Sequence, residues 1–181
     1  MAVILMRHTR PVFGSDYCYG NLDIGLADTF DADAAAAIAL LPTVEHIVSS
    51  PLQRARQLAQ KIAEQRELPL AVDPRVSEMD FGAWEGLPWA SVSRDELDAW
   101  AADFLDARPH GGESVRMVWQ RCQDALAEYA SRDGDTLVVC HAGVVRAAFA
   151  HGCTEEEFQT SIGYGETRRW PGDDNQTGDC E

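Results

Sequence analysis

Two stretches of the chain are apolar with no polar alternation, a pattern typical of strands buried on both faces of a parallel sheet. They cover residues 3–6 and 136–140. Shorter runs of the same kind at 46–49 and 70–72 predict two further strands. Residues 165–170 contain threonine, arginine and tryptophan, which suit an exposed ladder, so this segment is predicted to form an edge strand.

Apolar residues with helical spacing lie between the predicted strands. The strongest helix is predicted over 113–130, where they recur at i, i+3, i+4 and i+7. The alanine-rich segment 28–41 predicts a buried helix that ends before a proline. A helix over 50–66 is expected to have Ser50 as its N-cap and Pro51 at its first position. Three shorter helices are predicted over 93–107, 144–151 and 154–160.

Strands that alternate with helices predict an α/β fold. We expect a three-layer sandwich in which helices cover both faces of a mostly parallel central sheet. The length of 181 residues suits one domain with a full core, which we place over 1–170. From Pro171 onward the sequence is polar and rich in glycine and aspartate, so residues 171–181 are predicted to form a mobile tail.

The formal net charge of −15 disfavours nucleic acids and anionic membranes as partners, because an acidic surface repels both. We find no apolar span of transmembrane length and no secretion signal, and therefore expect a cytoplasmic protein. The five cysteines are odd in number and no two are separated by two residues. They are interpreted as reduced thiols rather than as a disulfide framework or a zinc site. The oligomeric state stays open between monomer and dimer.

Two of the predicted central strands deliver a histidine at the same kind of position. Arg7 and His8 follow the first strand, and His141 follows the strand at 136–140. Arg54 lies in the first turn of a predicted helix. Because ligand sites of open α/β sheets collect at the carboxyl ends of the strands, we expect these four side chains to share one pocket. The alternative is that Arg7 and His8 form a surface dipeptide without function.

Two guanidinium groups and a second imidazole around one imidazole would suit a tetrahedral dianion. A neutral His8 can attack phosphorus, and a poor alkoxide leaving group requires an acid. Segment 76–86 supplies carboxylates for that role, Glu78 first and then Glu85 and Asp80. A metal site on the two histidines is a further alternative, but no aspartate or glutamate lies at ligand spacing beside them, so no metal is expected.

Five motifs, in order between residue 3 and about residue 170, resemble the histidine phosphatase superfamily, also called phosphoglycerate mutase-like. The resemblance therefore covers nearly the whole chain. The motifs are LMRHT at 5–9, SSPLQRA at 49–55, EMDFGAWEG at 78–86, GGES at 111–114 and HAGVVR at 141–146.

The resemblance implies a two-step mechanism without a metal or an organic cofactor. His8 would be the phosphorylated nucleophile, and Glu78 would donate a proton to the leaving group and then activate water. The substrate would be a small phosphorylated metabolite. The phosphate would be held by Arg7, Arg54, the second pocket histidine His141 and the backbone amide of Ala142.

The chain departs from the family pattern directly after the nucleophile. Thr9 and Arg10 stand where the family usually has glycine and glutamate, and the family's pocket asparagine has no counterpart near Gly14. Thr9, Arg10 and the loop residue Tyr19 are therefore candidates for substrate or loop contacts. These departures bear on the substrate more than on the chemistry.

The short chain and the loop CYGNLD at 18–23 resemble the α-ribazole phosphatase branch. That resemblance implies α-ribazole 5′-phosphate, an intermediate of cobalamin biosynthesis, as the substrate. The alternatives are a broad-specificity phosphatase and a phosphatase for phosphohistidine proteins. Phosphoglycerate mutase activity and a non-catalytic phosphate-ester binding protein are less favoured.

Overall fold

The computed structural model describes residues 1–152 and 154–170. Within them, five strands form one sheet in the order β3-β2-β4-β1-β5. All neighbouring pairs are parallel except β5, which runs antiparallel to β1 at one edge. Each strand lies within or next to a segment that the sequence predicts to be a strand. The strands are β1 (Val3–Arg7), β2 (His46–Ser49), β3 (Leu70–Val72), β4 (Thr136–Cys140) and β5 (Thr167–Trp170).

The helices cover both faces of this sheet, which confirms the predicted α/β sandwich. One face packs against α1 and α2 through a cluster that includes Ile4, Met6 and Leu137. The other face packs against α4 and α5 through Leu5 and Val138. The helices are α1 (Phe30–Ala39), α2 (Gln53–Arg66), α3 (Arg94–Ala102), α4 (Val115–Ala130) and α5 (Ala142–Phe149).

The register between the two central strands brings their carboxyl ends together. Arg7 of β1 is paired with Cys140 of β4, and the His8 amide donates to the Cys140 carbonyl at 3.0 Å. His8 and His141 therefore leave the sheet side by side. The parallel pairing of β1 with β4 thus builds the site that the two histidines predict.

The predicted burial of α1 is wrong. Of its ten residues only Ala34, Ala37 and Ile38 are buried, and the adjoining Leu40 is 84% exposed. Alanine forms helix equally well at the surface and in the core, so a run of alanines indicates a helix without indicating which faces are covered.

Several helix ends also differ from the predicted ends. Helix α2 begins at Gln53 with Leu52 as its N-cap, two residues after the predicted start. The Ser50 hydroxyl does accept from the Leu52 amide, but it also contacts His141, so it serves the site as well as the turn. Helix α3 ends at Ala102, helix α5 begins at Ala142, and residues 155–159 form a 3₁₀ helix.

Some predictions concern residues that lie outside the described part of the chain. These residues are Cys153 and the predicted tail at 171–181, which includes Cys180. Cys18, Cys122 and Cys140 are buried free thiols. Among residues 1–152 and 154–170, no helix is both long and apolar enough to cross a membrane.

Candidate active site

One backbone contact sets the chemical state of His8. Its Nδ1 lies 2.6 Å from the Thr9 carbonyl oxygen, which can only accept a hydrogen bond, so Nδ1 carries the proton. Nε2 then keeps its lone pair. Burial lowers the pKa of His8 to about 3, with help from the positive charges of Arg54 and Arg7 and against the hydrogen bond to Thr9. The ring is therefore neutral at pH 7 and can act as a nucleophile.

The second histidine lies beside the first in the same buried pocket. The ring centroids of His8 and His141 are 5.2 Å apart. His141 is fully buried, and its Nε2 lies 2.8 Å from the Ser50 hydroxyl. Burial, followed by the charges of His8 and Arg54, holds the pKa of His141 well below its usual value. Two neutral imidazoles can thus face a ligand without repelling each other.

The two predicted arginines are held in place by carbonyl oxygens. Arg54 is fully buried and donates through Nη1 to the Leu22 carbonyl at 2.9 Å and through Nη2 to the Gly20 carbonyl at 2.5 Å. Arg7 donates through Nη1 to the Ile162 carbonyl at 2.8 Å. Neither arginine is paired with a carboxylate within the described residues. Both positive charges are therefore left to act on a bound anion.

Unpaired polar atoms mark the same place. Buried polar atoms normally have hydrogen-bond partners, so a group of them without partners indicates a site that can accept a polar ligand. Of the seven such atoms among the described residues, three belong to residues predicted to hold phosphate. Among the described residues, the buried atoms without a partner include Arg7 Nε, Thr9 Oγ1, Arg54 Nε and His141 Nδ1.

Two tyrosines cover the two arginines. Tyr164 stacks on Arg7, whose Cζ lies 3.8 Å from the centroid of the tyrosine ring. The Cζ of Arg54 lies 5.6 Å from the ring centroid of Tyr19. The two hydroxyl oxygens are 3.0 Å apart. Tyr19 was a sequence candidate for a loop contact, whereas nothing in the sequence pattern singled out Tyr164.

The structure places Glu78 at the first turn of helix α5. Its Oε2 accepts from the Gly143 amide at 3.0 Å, and its Oε1 accepts from the Met79 amide at 3.0 Å. A Cβ atom on Gly143 would lie only 2.1 Å from Glu78 Oε1. Glycine at 143 is therefore what allows the carboxylate to approach the helix.

The other two acid candidates serve the loops instead. Glu85 accepts from the amides of Gly20, Asn21, Leu22 and Phe81, which ties loop 18–23 to the segment that carries Glu78. The Asp80 carboxylate accepts from the Gly82 amide in a local turn. Of the three carboxylates, Glu78 alone lines the cavity beside Arg7 and Ala142, which is the main cavity of the site.

That cavity has a volume of about 400 Å³. Its polar wall contains five residues of the predicted motifs together with Ser15, and the five are Arg7, Glu78, Ala142, Gly143 and Arg146. Most of the remaining wall is aromatic or aliphatic, which suits the alcohol half of a small ester. The aromatic members are Tyr17, Tyr19, Phe81, Trp89, Trp100, Phe104, Phe158 and Tyr164.

This cavity is not lined by Thr9 or Arg10, the two residues that replace the family's glycine and glutamate. Thr9 is fully buried. Arg10 is held by Asp33 through two hydrogen bonds of 3.0 and 2.8 Å and lines a separate cleft beside α1. Its expected contact with substrate has no support in this arrangement, because its guanidinium is paired with Asp33 and lines another cleft. Asp33 lies in the first turn of α1, and spacing along the chain alone could not identify it as the partner.

A pair of charged residues fixes the backbone that carries Glu78. Arg121 of α4 forms an ion pair with Glu113 at 2.8 Å and donates to the carbonyls of Arg75, Ser77 and Glu78. Glu113 also accepts from the Asp80 amide. Glu113 belongs to the GGES motif, but its role could not be derived from the sequence. Its partner Arg121 lies 8 residues further along the chain, on helix α4.

No group of three or more histidine, cysteine, aspartate or glutamate side chains that could hold a metal ion occurs in residues 1–152 and 154–170. The arrangement at the sheet edge is instead a neutral histidine near two guanidinium groups, with a carboxylate that lines an aromatic cavity. Such a site can transfer a phosphoryl group from an ester to histidine.

Comparisons with known proteins agree with this chemistry. A family model described as the histidine phosphatase superfamily (branch 1) matches residues 3–163. The glucosyl-3-phosphoglycerate phosphatase of Mycobacterium tuberculosis is 31% identical over 164 residues, which cover 82% of this chain and 73% of the relative. The metal-independent phosphoserine phosphatase of Arabidopsis thaliana is 29% identical over 158 residues, which cover 81% of this chain and 66% of the relative.

A solved structure shows the same fold. The mycobacterial glucosyl-3-phosphoglycerate phosphatase with VO3 superposes with a TM-score of 0.77 at 26% identity, over 93% of this chain and 91% of that chain.

Proposed function

The chain belongs to the histidine phosphatase superfamily, and from this we propose that it cleaves phosphate monoesters through a phosphohistidine formed on His8 Nε2. The observation that carries the proposal is the hydrogen bond from His8 Nδ1 to the Thr9 carbonyl, which leaves Nε2 as the reactive nitrogen. The burial that keeps the ring neutral supports it further.

In the first step the lone pair of His8 Nε2 attacks phosphorus. The bond between phosphorus and the ester oxygen breaks, and Glu78 gives its proton to the departing alkoxide. Arg7 and Arg54 neutralise charge on the equatorial oxygens, and His141 and the Ala142 amide bind the same group.

In the second step water attacks the phosphohistidine. The Glu78 carboxylate takes a proton from that water, the bond between phosphorus and Nε2 breaks, and phosphate is released. His8 returns to its neutral form. No step requires a metal ion, and the name of the Arabidopsis relative, a metal-independent phosphoserine phosphatase, supports this.

The test of this function is phosphate release from phenyl phosphate in the presence of a chelator. We expect turnover by the wild type, none by His8→Asn, and an acid-labile phosphoprotein in the wild type alone. Asparagine keeps an N–H near the position of Nδ1 but lacks Nε2. Turnover by His8→Asn, or loss of wild-type turnover with chelator, would overturn the mechanism.

We propose a small phosphorylated metabolite as the substrate rather than a phosphorylated protein, because the cavity holds only about 400 Å³. The relatives do not support the α-ribazole 5′-phosphate suggested by loop 18–23. Glucosyl-3-phosphoglycerate and phosphoserine, which name two of the relatives, both carry a carboxylate. A panel with α-ribazole 5′-phosphate, O-phosphoserine and 3-phosphoglycerate separates these substrates by kcat/KM.

A further inference from the structure

Arg146 differs from nearly all other arginines of the protein in having no partner. It is exposed at its position on α5 and lines the main cavity. Within residues 1–152 and 154–170, Arg146 and Arg56 are the two arginines whose side chains make no hydrogen bond, ion pair or ring contact. Arg56 lines a separate cleft with Leu70 and Val72, outside the main cavity. Arg146 is thus an unpaired cation that faces the cavity of the active site.

The position of Arg146 on α5 places it on the side of the leaving group. It follows Gly143 by three residues and Ala142 by four, so it lies on the same face one turn further along the helix. The axial rise over that turn is about 5–6 Å. Because the Gly143 amide binds Glu78, Arg146 lies one turn beyond the carboxylate that protonates the leaving oxygen.

The transferred phosphoryl group does not need this third cation. Arg7 and Arg54 are positive charges that contribute to lowering the pKa of His8, and both are available to the phosphoryl group. The only acidic residue that lines the cavity among the described residues is Glu78, and its oxygens already accept from two amides. A second anionic group on the substrate would therefore meet Arg146 without a competing carboxylate.

We propose that Arg146 determines specificity by binding a carboxylate on the alcohol half of the substrate, so that the enzyme selects phosphate esters of hydroxy acids. A planar guanidinium matches a carboxylate with two parallel hydrogen bonds. A second phosphate dianion would call for more than one cation, as the pair Arg7 and Arg54 illustrates. The inference rests on the proposed phosphatase function and adds the substrate class to it.

The experiment compares two esters that differ only at this group. In 3-phosphoglycerate a carboxylate stands where glycerol 3-phosphate has a hydroxymethyl group. The measured quantity is the ratio of kcat/KM for the first ester to that for the second, in the wild type, Arg146→Gln, Arg146→Lys and the control Arg56→Gln. Phenyl phosphate reports on phosphatase chemistry without either group.

We expect the wild type and Arg56→Gln to share the same ratio in favour of 3-phosphoglycerate. Arg146→Gln should lower the ratio about tenfold, mainly through a higher KM, because the carboxylate is bound equally in the ground state and the transition state. Arg146→Lys should retain part of the preference.

A wild-type ratio near one, or an equal fall for both esters in Arg146→Gln, would overturn the inference while phenyl phosphate turnover leaves the phosphatase function standing. Absence of turnover of all three esters by the folded wild type would overturn the proposed function, and the inference with it.

Discussion

At the scale of single residues, the tautomer of one histidine and the location of one carboxylate decide the chemistry. The Thr9 carbonyl holds the proton on His8 Nδ1, and the first turn of α5 holds Glu78. Neither contact involves Arg7 or Arg54, the two arginines that we propose to bind phosphate. Nucleophile, acid and charge stabilisation are therefore separate groups that can be removed one at a time.

Glu78→Gln should separate catalysis from binding. Glutamine can still accept from the Gly143 amide, but it cannot give a proton to the leaving oxygen. We expect kcat for an alkyl phosphate to fall by roughly 10²–10⁴-fold, and that for an aryl phosphate with an acidic phenol to fall less.

The binding of vanadate, measured by inhibition of residual turnover, should change less than about threefold in Glu78→Gln, since Arg7 and Arg54 are intact. Glu64→Gln on the exposed face of α2 is the matched control. Equal losses of turnover and vanadate binding would show that Glu78 supports the pocket rather than the proton transfer.

At the scale of secondary-structure elements, helix α4 fixes the loop that carries the acid. Arg121 binds three carbonyls of segment 75–78, and Glu113 binds both Arg121 and the Asp80 amide. Burial acts to raise the pKa of Glu113, but the hydrogen bond and charge of Arg121 outweigh it and hold that pKa below its usual value. The loop is thus positioned by a helix whose Val115 and Val118 also line the cavity.

Glu113→Gln should destabilise the protein more than the loss of a surface ion pair on the same helix. The change leaves the guanidinium of Arg121 without its counter-charge, and we expect the free energy of unfolding in urea to fall by about 1–3 kcal/mol. Asp106→Asn removes the exposed partner of Arg116 and should cost less than about 1 kcal/mol. Equal effects of the two substitutions would contradict the role given to the Glu113–Arg121 pair.

At the scale of the whole molecule, the stability of the fold is linked to the two buried neutral histidines. Their pKa values lie below that of an unfolded histidine, about 3 for His8 and also well lowered for His141. Between pH 6.5 and about 3 the unfolded chain therefore binds protons that the folded chain does not. This contribution to stability is complete above pH 6.5 and is lost as the pH falls.

We expect the two histidines together to lower the free energy of unfolding by about 2 kcal/mol between pH 7 and 5.5. The net charge of −15 changes over the same range, so the useful quantity is the difference between variants measured in urea. His8→Asn should show a shallower pH dependence than the wild type. A slope in His8→Asn equal to that of the wild type would contradict the linkage.

Much of the fold was predictable because strands buried on both faces leave an uninterrupted apolar run. The strands at 3–7 and 136–140 and the histidines that follow them are confirmed in position. Patterns with less contrast were less informative. The alanine run of α1 predicted a helix but not its exposed face, and Ser50 indicated a helix start two residues too early.

The sequence by itself determined the order of the elements, the two histidines at the strand ends and the acidic segment 76–86, because these follow from local spacing. Only the tertiary structure decided which carboxylate faces the cavity, that Arg10 is held by Asp33, and that Arg146 has no partner among the residues that the structure describes. Those outcomes depend on side chains that meet across long separations in the chain, as Glu78 and Gly143 do. A periodic pattern reports which face of an element is covered, but not which distant group covers it.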